Sequence, residues 1–162
     1  MNNEIDDMDR AFLARAVELS RERMRAGKGG PFGAIIARDG KVLAEGANEV
    51  TSAKDPTAHA EVVAIRRACE AVDDFSLAGA TIYASCEPCP MCLASIYWAR
   101  IGRIVFANTR EQAAAIGFDD AFLYAEVPKP ISQRAIPTLH EGSAMADAVF
   151  AEWMEMEDKI KY

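Results

Sequence analysis

The sequence predicts an α/β fold in three layers, with helices on both faces of one mixed sheet, and three observations carry that prediction. The chain has 162 residues, 51% of them hydrophobic, enough for one sizeable core and too few for a second domain. An Asp39-Gly40 turn lies between two apolar runs, the strongest short-range signal of an antiparallel hairpin. Helical and strand patterns alternate after it, so the later strands should be parallel, with helices packed on both sides.

Taken in order, Met8, Phe12, Leu13, Ala16, Val17 and Leu19 recur at near-helical spacing behind the acidic pair Asp6 and Asp7, which predicts an amphipathic helix over about 7–26. Gly27 and the run Gly29-Gly30-Pro31 end it. The hairpin strands are Gly33 to Ala37 and Val42 to Gly46. A polar stretch from Asn48 to Pro56 leads into a helix over about 58–72, with Val62, Val63, Ile65 and Ala68 on its apolar side. Thr81 to Ser85 reads as a third strand and Arg103 to Ala107 as a fourth. Between them a short helix opens at Pro90, and another covers about 110–116. Ala144, Met145, Ala148, Val149 and Trp153 mark a C-terminal helix that docks on its own domain or on a partner.

The opening residues MNNEIDDMDR are polar and acidic, and no segment has the ~18 uninterrupted apolar residues of a membrane span, so a cytoplasmic protein with no membrane association is expected. The net charge of -7 disfavours phosphate-rich partners, and no basic cluster offsets it, so nucleic acid is not an expected ligand. Three of the four cysteines, Cys86, Cys89 and Cys92, fall within seven residues. That cluster is too local for a disulfide framework and points to metal or redox chemistry in a reducing compartment.

His59-Ala60-Glu61 and Cys89-Pro90-Met91-Cys92 each stand where a predicted helix begins. With Cys89 as the N-cap and Pro90 at the first helical position, Cys92 falls one turn on, and both sulfurs can converge on one ion. The positive ends of two helix dipoles favour thiolate there. His59, Cys89 and Cys92 supply three protein ligands, which suits a catalytic tetrahedral zinc, one per chain, with an open position for water. Such an ion lowers the pKa of that water to roughly 7 and makes hydroxide available. Glu61 lies two positions past His59, about 200° around a helix, so both address one ion only if it sits beyond the helix end. A carboxylate so placed suits proton transfer rather than ligation.

These residues resemble the signature of zinc nucleobase and nucleoside deaminases. The wider context resembles bacterial guanine deaminases of the cytidine/deoxycytidylate deaminase superfamily. It does so at Gly29-Gly-Pro-Phe-Gly-Ala34, Asp55-Pro-Thr-Ala-His-Ala-Glu61, Ser85-Cys-Glu-Pro-Cys-Pro-Met-Cys92, Tyr97-Trp-Ala-Arg100 and Gly117-Phe-Asp-Asp120. The resemblance implies a cytidine deaminase-like fold with a five-stranded sheet, although the residues themselves mark only four strands. It implies hydrolysis of guanine to xanthine and ammonia by a zinc-bound hydroxide, in a homodimer, with Glu61 moving the protons. It also implies that Phe32 and Trp98 line a planar base slot and that Asp120 faces the substrate as an acid.

Each assignment has a plainer counterpart. Phe32 and Trp98 read by default as core aromatics. Asn48 could cap a turn, but its amide suits a base edge. Asp119 and Asp120 could merely open a helical turn, and Ala60 could meet substrate only through its backbone. His59 with Cys86, Cys89 and Cys92 could form a closed, purely structural site, a choice the ligand chemistry alone leaves open. A thioredoxin-like use of the cysteines gives no reason for His59 or Glu61. Cys69 reads as a small core residue and His140 as an exposed loop residue. Rival functions are a tRNA adenosine deaminase, a deaminase of cytosine or another base, and a zinc-stabilised binding module without turnover. Residues 1–162 read as one domain; the plain reading of 144–162 is a helix packed on its own sheet with a frayed end, whereas the resemblance implies a helix and tail, ending at Tyr162, that close over an active site.

Overall fold

The computed structural model of the chain describes residues 4–161. They fall into two compact units that divide after Asp120. The first begins with helix α1, Asp7–Arg25, followed by strands β1, Gly33–Arg38, and β2, Lys41–Ala47. A single turn, α2, Val50–Ala53, precedes α3, Ala60–Val72, then β3, Thr81–Cys86, α4, Pro90–Trp98, β4, Arg103–Asn108, and α5, Arg110–Ala115. The strand order is β2-β1-β3-β4, with β1 antiparallel to β2 and to β3, and β3 parallel to β4. The sheet is mixed, as expected.

Alternation along the strands separates the two faces. Ala34, Ile36 and Ile82 face Ala60, Ala64 and Ala68 of α3 and Ile96 of α4. Ile35, Ala37, Tyr83 and Val105 face Phe12, Leu13, Ala16 and Leu19 of α1. Helices thus cover both sides and complete the three layers. The hairpin turns where Asp39 and Gly40 take φ of 52° and 74°, the left-handed pair that a two-residue turn of this hand requires. Gly46 lets α3 lie against β2, since a Cβ there would stand 2.2 Å from the Ala60 carbonyl oxygen. That close approach fixes the start of α3, where the site is built.

The sheet corrects one expectation. It has four strands among the described residues, not five. The fifth was implied by resemblance and had no strand pattern behind it. The chain beyond β4 carries Pro128, Pro130 and Pro137, whose missing N–H groups do not sustain a ladder. Those residues belong to the second unit, which holds helix α6, Ala121–Glu126, one 3-10 turn over Ile131–Gln133, and α7, Ala144–Glu155. No residue of α7 is buried. Among the described residues no helix is long and apolar enough to cross a membrane.

The start of α1 is tied down by one acidic residue. Asp9 completes a capping box with Asp6, takes two bonds from the Arg103 guanidinium at 2.6 and 2.8 Å, and accepts from the Tyr83 hydroxyl at 2.8 Å. Arg103 holds the Asp9 carboxyl far below the usual carboxylate range, against the opposing effect of burial. Because the native value is depressed, the stabilisation is complete at neutral pH. It declines as pH falls below about 3.9, the unfolded value, and is lost only below the native one. Asp9→Ala strands Arg103 and is expected to cost about 3 kcal/mol, the low end for breaking a buried pair. Denaturant melts of wild type and variant at pH 7 and pH 3 check this; an equal gap at both would contradict the assignment.

Candidate active site

β3 and β4 run parallel, so their C-terminal ends lie together, and the Glu87 N–H donates to the Asn108 carbonyl at 2.8 Å to hold the chain as it leaves β3. Pro88 and Pro90 then bracket Cys89, which is the N-cap of α4 with extended backbone at φ -65° and ψ 169°. His59 is the N-cap of α3, also extended, at φ -68° and ψ 155°. Neither side chain is spent on capping its own helix, so both can address a common point beyond the two N-termini. The requirement that Glu61 and His59 meet beyond the helix end is thereby met. His59 lies before the first helical residue.

The His59 Nδ1 atom stands 3.6 Å from the Cys89 sulfur and 3.5 Å from the Cys92 sulfur. The three ligand atoms lie within 4.8 Å of one another. A tetrahedral zinc with typical bond lengths of ~2.0 Å to nitrogen and ~2.3 Å to sulfur separates those atoms by about 3.6 Å, so the donor set fits the ion in kind and in spacing. Cys86 stays apart. It ends β3, is buried, and its thiol donates to the Thr109 carbonyl at 3.7 Å, while burial pushes it up to about 11. The group of candidate ligands among the described residues is His59, Cys89 and Cys92.

The electrostatics concentrate a proton and a charge in the same place. A hydrogen bond with Cys92 and one with His59 pull the Cys89 thiol down to about 4 against burial, so it is a thiolate at neutral pH. The same pairing with Cys89, with burial, raises Cys92. Contact with the Cys89 thiolate raises His59, although burial opposes it. Glu61 is buried, and burial raises its carboxyl. Its Oε2 lies 3.3 Å from the Cys92 sulfur, against the ligand cluster. A carboxyl that holds its proton more readily than usual, next to three metal-type ligands, is equipped for acid–base work.

Asn48 and Phe32 are joined: the Asn48 N–H donates to the Phe32 carbonyl at 3.0 Å. Asn48 is buried, and its Oδ1 accepts from the N–H groups of Gly30 and Val50 at 3.2 and 3.3 Å. The turn-capping reading of this residue is therefore met through Oδ1. Phe32 is half-buried and packs on the α3 side of the sheet. Ala60 is buried at the first position of α3. Asp120 is half-buried, and burial, with the Cys89 charge, raises its carboxyl, whereas Asp119 is exposed. Trp98 is 67% exposed and lines a surface hollow with Ala94, Tyr97 and Arg100. It lies nine residues along α4 from Cys89, about 13 Å by helical rise, so it is not brought to the ligands within its own chain. Tyr162 lies outside the described residues. Cys69 packs against the core and His140 is exposed, as expected. Phe118, whose ring meets Phe32, carries no signal in the sequence beyond its place in the Gly117-Phe-Asp-Asp120 run.

Residues 6–108 match the family model of the cytidine and deoxycytidylate deaminase zinc-binding region. Guanine deaminase of Bacillus subtilis (strain 168) is 48% identical over 151 residues, covering 93% of this chain and 97% of its own. The X-ray structure of guanine deaminase from Bacillus subtilis superposes with a TM-score of 0.92 at 46% identity, over 100% of this chain and 99% of that one. A protein solved in complex with 2,6-diaminopurine is 31% identical, with a TM-score of 0.68 over 74% of this chain and 67% of its own. A tRNA-specific adenosine deaminase of Agrobacterium fabrum is 42% identical over 86 residues, covering 53% of this chain and 57% of its own.

Proposed function

The chain belongs to the cytidine and deoxycytidylate deaminase family, and from that premise we propose that it is a zinc-dependent hydrolase that converts guanine and water to xanthine and ammonia. One observation carries the choice of base. Guanine deaminase is 48% identical over 93% of the chain, well beyond the zinc-binding region that ends at residue 108, whereas tRNA-specific adenosine deaminases match 53–70% of it at 32–42% identity. A match that runs past the shared zinc core to Asp119, Asp120 and the tail says more about the substrate than one confined to that core.

His59, Cys89 and Cys92 hold the ion, one per chain. Zinc, when bound, acidifies a water so that a nucleophile is at hand near neutral pH. The remaining work belongs to the protein. Glu61 takes the proton of the attacking water, places it on the ring nitrogen beside C2, and later protonates the departing amine. Its raised carboxyl suits a group that must both take and give a proton. Asn48 donates from Nδ2 to an acceptor on the base edge, a role supported by the prior engagement of its Oδ1. Phe32 stacks on the base, the backbone of Ala60 borders it, and Asp120, beside Asp119, holds the ring or relays a proton.

The test is ammonia release by the zinc-loaded protein from guanine, adenine, cytosine, guanosine, adenosine and cytidine, beside inosine formation in a tRNA anticodon hairpin. Guanine is expected to be turned over fastest. Faster inosine formation would replace the reading with the tRNA one, and zinc binding with no ammonia from any base would leave a binding module. The acidic tail, with Asp147, Glu152, Glu155, Glu157 and Asp158 against Lys159 and Lys161, has the wrong sign for phosphate contacts.

In the same reading the protein is a cytoplasmic homodimer whose C-terminal tail closes an active site, with Trp98 completing a base slot. The exposed apolar residues Met145, Val149, Phe150 and Met154 of α7 support a partner surface. A free base has no ribose to fill the pocket mouth, and excluding water there strengthens the electrostatics of the reaction. Deleting 159–162 is expected to weaken guanine turnover at least about tenfold with zinc content unchanged, the scale of a lost positioning contact. Lys159 also donates to the Met154 and Met156 carbonyls at 2.6 and 2.7 Å, so the deletion frays α7 as well. Tyr162→Ala is the cleaner variant. Wild-type kinetics in both, or a single-chain mass in light scattering, would remove this part of the reading.

A further inference from the structure

Between the base-slot ring and the substrate-facing acid stands an aromatic residue with no role assigned so far. The Phe118 ring lies edge-on to Phe32, with centroids 4.8 Å apart and planes at 89°, the favoured geometry of an aromatic pair. Gly30 makes the room: a Cβ there would stand 3.3 Å from each of the two rings, closer than ordinary contact. Phe118 is anchored from behind by its own N–H, which donates to the Ala113 carbonyl of α5 at 3.0 Å. Residues 118–120 follow without regular structure, and this segment carries Asp120, whose carboxyl feels the Cys89 charge. Phe118 stands two residues before Asp120, so holding its ring against Phe32 limits where that acid can lie. Phe118 is nonetheless 46% exposed, more than a residue kept for core packing alone needs.

We infer that Phe118 is a positioning residue for the reaction, whose edge-on contact with Phe32 sets where Asp120 stands against the bound base. This rests on the guanine reading above and goes beyond it by assigning a coupling between the stacking ring and the acid. A side chain that loses this contact leaves the 118–120 segment free to shift, and misplacement of about 1 Å at a reacting centre costs up to ~10²-fold.

A double-mutant cycle on kcat/KM for guanine tests it, with Phe118→Ala, Asp120→Asn and both together, each checked for zinc content and melting temperature. Expected are a 10- to 100-fold fall for Phe118→Ala with zinc and melting temperature near wild type, and a double variant no worse than about twofold below Asp120→Asn alone. Phe118→Tyr, which retains the ring edge, should recover most of the loss, and Phe118→Leu should not. Wild-type kcat/KM in Phe118→Ala, or losses that multiply in the double variant, would overturn the inference while leaving the guanine reading intact. A wild-type protein with no action on guanine would overturn both. Should Phe118→Ala lower the melting temperature, the Tyr and Leu variants decide: equal activity in the two would reduce the ring to packing and sink the proposal.

Discussion

Glu61→Gln is expected to keep one zinc per chain and lower kcat for guanine by about 10³-fold or more, the upper part of the range for losing a general acid–base group. The expectation follows from position. Glu61 sits one residue inside α3, is buried, and reaches the cluster through the Cys92 sulfur at 3.3 Å, while the three ligands close on one another without it. Glutamine has the same shape and retains an acceptor for that contact, so the cavity and the fold should be preserved; what it lacks is a proton to give and a basic oxygen to take one. Metal analysis, a thermal melt and steady-state kinetics on the same preparation separate the possibilities. Loss of zinc would make Glu61 a ligand, and turnover near wild type would move the proton transfer elsewhere, with Asp120 the next candidate because burial raises its carboxyl too.

The parts of this molecule that were legible in its sequence are those written locally. Asp39-Gly40 dictates its turn by backbone preference, and Cys89-Pro90 dictates a helix start, because proline at the first helical position gives up no hydrogen bond. The convergence of His59, Cys89 and Cys92 was also legible, as two helix N-termini with metal-ligand residues at each. The tie from Asp9 to Arg103 was not, since the partners are 94 positions apart and nothing in either neighbourhood announces the other. Helix α6 has six residues, too few for a 3.6-residue period to stand out. For Asn48 the sequence could offer two uses of one amide but not that its oxygen is spent on Gly30 and Val50. The fifth strand shows the opposite failing, since it was carried over from relatives with no alternating pattern in this chain to support it.

The other large effect concerns the metal itself. Cys89→Ala is expected to abolish stoichiometric zinc binding, a larger loss than the about 10–100-fold in affinity that follows removal of an outer-shell partner. Two helix N-termini meet at the cluster, so the ion links α3 to α4, and its binding free energy is also folding free energy. The variant should therefore melt earlier than the zinc-loaded wild type and close to the wild type stripped by a chelator, with no further change when chelator is added to it. Cys92→Ala should lose zinc as well and melt lower still, because that side chain is fully buried and its removal leaves a cavity. Cys86→Ser is the control that separates a three-ligand site from a closed four-ligand one. Its thiol bonds to the Thr109 carbonyl, a partner that a serine hydroxyl also suits, so full zinc content is expected. Zinc retained in Cys89→Ala, or lost in Cys86→Ser, would show that the cluster is assembled differently, with Cys86 drawn in as a ligand and no position open for water.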